Sequence, residues 1–179
     1  MPTFDLFMSY NRVDRTEVQV IRQRLLDRGV SGFIDSEDLL PGLPWLTGIY
    51  NAIQNVQAVA VFIGKAGLST WQKREWAWSI ERQDREEKQS TSQFPVIPVL
   101  LPQTRADDVW GGLFSNTWVD MSCGIDDDAA LDALVRAAIA TIAALQARAS
   151  HFTSAGEIAV IPERRLKSLP LKVSSCVMP

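Results

Sequence analysis

Eight consecutive residues, Val56 to Ile63, are apolar at every position except Gln57, and that leaves few folds open. A strand with one wet face alternates apolar and polar side chains, whereas a strand covered on both faces reads as a continuous apolar run. The run therefore predicts an inner strand of a parallel sheet. Its neighbours suit that frame. Phe4 to Ser9 and Gly32-Phe33-Ile34 read as strands before it, and Phe94 to Leu101 and Asn116 to Asp120 as strands after it. Between them lie helical segments. Thr16 to Arg28 carries Val18, Ile21, Leu25 and Leu26 on its inner face and stops at Gly29. Trp45 to Asn55 follows a loop, Asp35 to Pro44, that turns at Pro41-Gly42. A third helix runs from Trp71 to about Lys88. Asp126 to Arg148 is the clearest helix, with acidic residues at its start and Leu131, Leu134, Val135, Ala138, Ile142 and Leu145 along one face. Pro95 and Pro98 sit awkwardly in the fourth strand, because each lacks a ladder donor. Thr104 to Gly112 is expected to be a loop. Strands alternating with helices give an α/β fold, here a flavodoxin-like five-stranded parallel sheet in the order 2-1-3-4-5 with helices on both faces.

Composition narrows the function. The 179 residues are 46% apolar, enough for one buried domain, expected over 1–148, with 149–179 as a tail, a linker or a partner-docking segment. A net charge of −3 and a pI near 5.2 argue against non-specific nucleic-acid binding. Two cysteines, Cys123 and Cys176, form no CxxC and suit a reducing compartment rather than a disulfide framework. No signal peptide is legible at the start, and no apolar run approaches the roughly 20 residues that span a bilayer, so a cytoplasmic location is expected. The single histidine, His151, excludes a multi-histidine metal site and places a Ser-His-Asp or Cys-His arrangement beyond the last helix. No Walker loop and no GxGxxG occurs. No metal and no resident cofactor are expected, and carboxylates are left as the chemistry.

In such a sheet ligands sit beyond the carboxyl ends of the strands, at the switch point between strands one and three. Two loops meet there, Ser9 to Asp14 and Gly64 to Thr70. The second opens onto Ser69-Thr70-Trp71-Gln72-Lys73-Arg74-Glu75-Trp76-Ala77-Trp78. Ser69 and Gln72 have the spacing of a capping box. A helix starting there puts Trp71, Glu75 and Trp78 on one face, with the acid between two indoles. Each residue also has a plainer reading. Trp71 alone suits a core, Glu75 alone a solvated helix face, and Trp76 and Trp78 suit packing. A phospho-receiver would carry an aspartate at the end of strand three, where the chain has Val61-Phe62-Ile63-Gly64. A flavodoxin would carry a glycine-bearing phosphate loop after strand one, where the chain has Ser9-Tyr10-Asn11-Arg12-Val13-Asp14.

As a set, these motifs resemble the TIR (Toll/interleukin-1 receptor) domains. Phe4-Asp5-Leu6-Phe7-Met8-Ser9-Tyr10 with Asp14 resembles their box 1. Phe33-Ile34-Asp35 through Leu40-Pro41-Gly42 and Trp45 resembles box 2, the BB loop. Ser69-Thr70-Trp71 with Glu75 resembles the segment bearing the active-site glutamate of NAD-cleaving members, and Trp118-Val119-Asp120 the fifth strand of bacterial ones. The resemblance spans about residues 3 to 148. The Phe-Trp box of animal receptor domains is not evident, which favours the bacterial NAD-cleaving type.

That resemblance implies cleavage of the nicotinamide–ribosyl bond of NAD⁺ as a substrate, giving ADP-ribose or a cyclic product, with Glu75 as the catalytic residue. Tyr10, Arg12, Trp71, Glu37 and Trp45 are the residues it places at the ligand. Arg12 suits a pyrophosphate, or else pairs with Asp14 or Asp35. Tyr10 equally suits strand-end packing, and Glu37 a surface charge. It further implies activation by oligomerisation through the BB loop (Asp35 to Trp45), a sensor protein or domain at the C-terminal segment, and a setting in bacterial antiphage defence. The rival reading is a non-catalytic scaffold that signals by TIR–TIR association. A nucleoside-processing relative with the same sheet is a third.

Overall fold

The inner strands of this chain have apolar side chains on both faces, so the sheet needs a helical layer on either side. The computed structural model, which describes residues 4–39, 42, 44–89, 93–104 and 116–139, supplies both layers. The strands are β1 (Leu6–Ser9), β2 (Gly32–Phe33), β3 (Ala58–Ile63), β4 (Val96–Leu100) and β5 (Val119–Asp120). They pair in parallel in the order β2-β1-β3-β4-β5. The helices are α1 (Arg15–Asp27), α2 (Asp35–Asp38), α3 (Trp45–Asn55) and α4 (Thr70–Lys88), with α5 described over 128–139. The expected loop after Thr104, most of the distal half of the last helix, with Ile142 and Leu145, and the segment 149–179 lie outside the described residues.

The period of two along the strands sorts the core. Leu6, Met8, Ala58, Ala60, Phe62, Ile97 and Val99 face α1 and α5, where Val18, Ile21, Leu25, Leu131 and Leu134 meet them. Phe7, Val59, Val61, Ile63, Val96 and Leu100 face α3 and α4, where Ile49, Ile53 and Trp76 meet them. Leu26 is a correction. It was expected on the inner face of the first helix, but at 55% exposure it points outward, since only Val18, Ile21 and Leu25 keep the i, i+3, i+7 line. The helix ends where Gly29 adopts φ 80°, donating to Leu26 O at 2.9 Å while Val30 donates to Leu25 O at 2.9 Å. The loop from Asp35 is also corrected: its first four residues form the single turn α2, whose Asp38 accepts from the Ile34 amide at 2.7 Å.

Pro98 lies inside β4, opposite Val61. Leu101 N donates to Ile63 O on β3 at 2.9 Å, whereas Leu100 O accepts from Met121 N on the β5 side at 2.8 Å. Backbone groups alternate sides along a strand, so Pro98 turns its donorless nitrogen toward β5. Pairing with β5 begins only at Val99. The missing donor therefore removes no ladder bond.

At the carboxyl rim, Asp14 and Gly64 bring the loops after β1 and β3 together. Asp14 is 9% exposed and its carboxylate accepts from the Gly64 amide. Any Cβ at position 64 would collide with that carboxylate. Gly64→Ala is expected to destabilise the fold by about 1–3 kcal/mol. Because the collision is with Asp14, adding Asp14→Gly should recover part of the loss in thermal unfolding. Simple addition of the two losses would rule that contact out as the cause.

Candidate active site

Ser69 opens α4 with the full capping box: its Oγ accepts from Gln72 N at 3.1 Å, and Gln72 Oε1 accepts from Ser69 N at 3.0 Å. Gln72 is fully buried, and its Nε2 also donates to Phe62 O near the end of β3 at 2.9 Å. The first turn of α4 is thereby bolted to the strand before it. Three residues on, the helix delivers Glu75 to the end of β1.

A crevice of about 590 Å³ opens there, lined by Ser9, Tyr10, Arg12, Arg15, Asp35, Trp45, Trp71 and Glu75 among others. Glu75 is only 3% exposed. Its Oε2 accepts from Ser9 Oγ at 2.5 Å, the range of a charge-assisted O–H···O⁻ bond. Burial pushes the Glu75 carboxyl up to about 7, the Ser9 bond opposes this, the Asp35 charge adds to the rise, and the nearby Trp71 indole lowers it again. That indole Nε1 is buried and completes no hydrogen bond among the described residues, although it lies close enough to the carboxylate to favour the anion.

The indoles form a ladder. Trp45 stacks on Trp71 with centroids 4.3 Å apart and planes at 22°, Trp71 meets Trp78 edge-on at 6.1 Å, and Trp78 meets Tyr50 at 5.6 Å. Arg74 lies 5.3 Å from the Trp71 ring centre. Trp71 is thus already stacked, and the aromatic surface left open beside the crevice belongs to Trp45, which is 45% exposed. Trp76 packs into the core as expected.

Five of the six residues singled out in the sequence line this one crevice: Glu75, Tyr10, Arg12, Trp71 and Trp45. Tyr10 Oη lies 3.3 Å from Ser36 Oγ, and Arg12 makes no ion pair among the described residues. The sixth, Glu37, is a correction. It lies outside the crevice lining and is held on the α1 side by Arg22 Nη1 at 2.5 Å, Gln19 Nε2 at 2.7 Å and Arg15 Nη2 at 3.2 Å. These donors, Gln19 foremost, keep its carboxyl below the usual range. Ser9, Asp35 and Arg15 were not singled out. Ser9 had a legible signal: as the residue two after Phe7 it continues a strand face that is otherwise apolar, so a hydroxyl there needs a partner.

The fold and crevice define a doubly wound α/β domain with a buried carboxylate at the switch point of its sheet. Residues 6–135 match the family model described as TIR domain, and the chain belongs to that family. Comparison with curated protein sequences returns no match. Among solved structures, a metazoan TIR-STING receptor from C. gigas, in complex with 2′,3′-cGAMP, is 23% identical with a TM-score of 0.59, over 75% of this chain and 39% of that one. The TIR domain of the Toll-related receptor TRR-2 from Hydra magnipapillata is 19% identical with a TM-score of 0.50, over 66% of this chain and 84% of that one. These likenesses are of fold, and the chain spans well under half the length of the C. gigas receptor. No helix among the described residues is long and apolar enough to cross a membrane.

The raised Glu75 carboxyl has a stability consequence. Between its unfolded value, 4.5, and about 7, the folded state holds more protons than the unfolded one, so this group's effect is to lower stability as pH rises through that window. Glu75→Gln keeps an acceptor for Ser9 and removes the charge. It is expected to be more stable than wild type at pH 8, by up to about 3 kcal/mol, and so to unfold at a higher temperature, with the gain absent near pH 4.5. A gain that does not change between the two pH values would exclude the buried charge as its source.

Proposed function

We propose that this TIR domain is an NAD⁺ glycohydrolase that cleaves the nicotinamide–ribosyl bond. The observation that carries the reading is the Glu75 carboxylate, buried beside Ser9 and Trp71 in a crevice at the β1/β3 switch point. The C–N bond between nicotinamide and ribose C1′ breaks with its electron pair leaving on nicotinamide. The departing group is neutral, so no general acid is needed, and positive charge spreads over the ribose ring as in glycoside hydrolysis. A fixed carboxylate in a poorly hydrated site stabilises that charge where it develops and accepts hydrogen bonds from ribose hydroxyls. Water adding at C1′ loses one proton, giving nicotinamide, ADP-ribose and H⁺. An internal nucleophile of the same molecule would give a cyclic product instead.

The other groups divide by chemistry. Arg12, without a carboxylate partner among the described residues, suits the pyrophosphate. Trp45 offers an open aromatic face to a ring at the mouth, while Trp71 backs Glu75. No separate cofactor is needed, since NAD⁺ is the substrate. In this reading activity depends on assembly through the segment from Asp35 to Trp45, of which Asp35, Ser36 and Trp45 line the crevice. A sensor would engage the C-terminal segment, and the setting is bacterial antiphage defence in the cytoplasm, on the strength of family resemblance.

Incubation of the protein with NAD⁺, with and without enforced clustering, tests the reading by nicotinamide release. Clustered wild type is expected to turn over, and Glu75→Ala to lose about a hundredfold or more. Equal turnover by Glu75→Ala, or none by the clustered wild type, would leave the scaffold reading. Mass analysis of the product separates linear from cyclic ADP-ribose. Because the ionised carboxylate is the working form, turnover should rise with pH through about 7 and level off above 8.

A further inference from the structure

Ser9 is the last residue of β1, 1% exposed, and pairs in register with Val61 of β3. Its side chain lies on the α3/α4 face of the sheet, in line with Phe7, where every neighbouring strand position is apolar. A lone hydroxyl at such a place is costly unless bonded. It donates to Glu75 Oε2, 66 residues away, and among the described residues no backbone carbonyl takes its proton. This is unlike the other buried hydroxyls at the site: Ser79 Oγ donates to Glu75 O and Thr104 Oγ1 to Ile63 O, both closing on main chain. The Ser9 hydroxyl is aimed at a carboxylate instead.

We infer that Ser9 is a positioning residue: from the end of β1 it immobilises one oxygen of the Glu75 carboxylate and leaves Oε1 as the oxygen offered to the ligand. The role rests on the glycohydrolase reading, but the contact does not. A carboxylate on a helix rotates about three side-chain bonds, and a single short bond to a strand, the least mobile element nearby, removes that freedom. The same bond favours the anion against burial. The charged and titratable groups around it are Asp35 from α2, Tyr10, Arg12 and Arg15 from the segment after β1, and Arg74 on its own helix beside Trp71; α3 contributes the uncharged Trp45. Asp35 opposes ionisation, and Ser9 is the foremost donor acting against it, ahead of the Trp71 indole.

Ser9→Ala removes the one hydroxyl without adding bulk, and the Glu75 side-chain ¹³C carboxyl signal, assigned by its disappearance in Glu75→Gln, reads the result without any substrate. Its titration midpoint is expected to move up by about one pH unit in Ser9→Ala, the scale of a hydrogen bond to a charged group. In clustered protein turning over NAD⁺, a one-unit rise means about a fivefold lower kcat at pH 7, largely recovered at pH 9, with KM little changed. Ser9→Thr, which keeps the hydroxyl, should titrate near wild type. A folded Ser9→Ala with an unmoved midpoint would overturn the inference. Wild type that fails to cleave NAD⁺ while the midpoint still moves would overturn the glycohydrolase reading and keep the Ser9–Glu75 coupling.

Discussion

A parallel sheet with helices on both faces leaves polar side chains only its two rims to work at. Everything distinctive about this domain follows from that confinement. The apolar inner strands exclude ionisable groups from the faces, and the strand order places the loops after β1 and β3 side by side at the carboxyl rim. There Asp14 closes on the Gly64 amide, Gln72 on the Phe62 carbonyl and Thr104 on the Ile63 carbonyl. The rim is thus stitched by side chains where the ladder itself runs out. Glu75 is held in the midst of these contacts, nearly as buried as the core.

Burial of that carboxylate is a local conflict. Among the described residues neither a lysine nor an arginine pairs with it, and the charge that acts on it, Asp35, is of the same sign. What offsets the desolvation is one serine hydroxyl and the edge of an indole. A domain built only for stability would place a glutamine or an apolar residue at position 75. Conflicts of this sort cluster where a protein binds or reacts, because a charge kept poorly solvated interacts strongly with a ligand that brings the opposite charge.

Much of the fold was legible in the sequence because its signals were redundant. The unbroken run before Gly64 announced an inner parallel strand, and the Ser69–Gln72 spacing announced the start of α4, which both the hydrogen bonds and the strand attachment bear out. Where a single weak signal decided, the reading slipped. Leu26 looked like a core residue because it follows Leu25, yet a helix turns adjacent residues 100° apart. Glu37 looked available to a ligand because it sits in a loop of the right name, but the sequence does not display that Arg22 and Gln19, on a helix formed earlier in the chain, point at the same spot. Partners distant in sequence, such as Ser9 and Glu75, are invisible to periodicity. Only an unexplained hydroxyl on an apolar face hinted at the pair.

The attachment of Gln72 bears on how the crevice changes shape. One side chain caps α4 and grips β3, so the helix can neither slide along its axis nor turn about it without breaking a buried bond. The carboxylate one turn later belongs, in mechanical terms, to the sheet. The opposite wall is different in construction: α2 is a single turn, and Trp45 leans on Trp71 through a ring face, with no hydrogen bond to break among the described residues. The site is an anvil and a hammer. Adjustment to a ligand falls to the Trp45 side, and the Glu75 carboxylate stays where the sheet holds it.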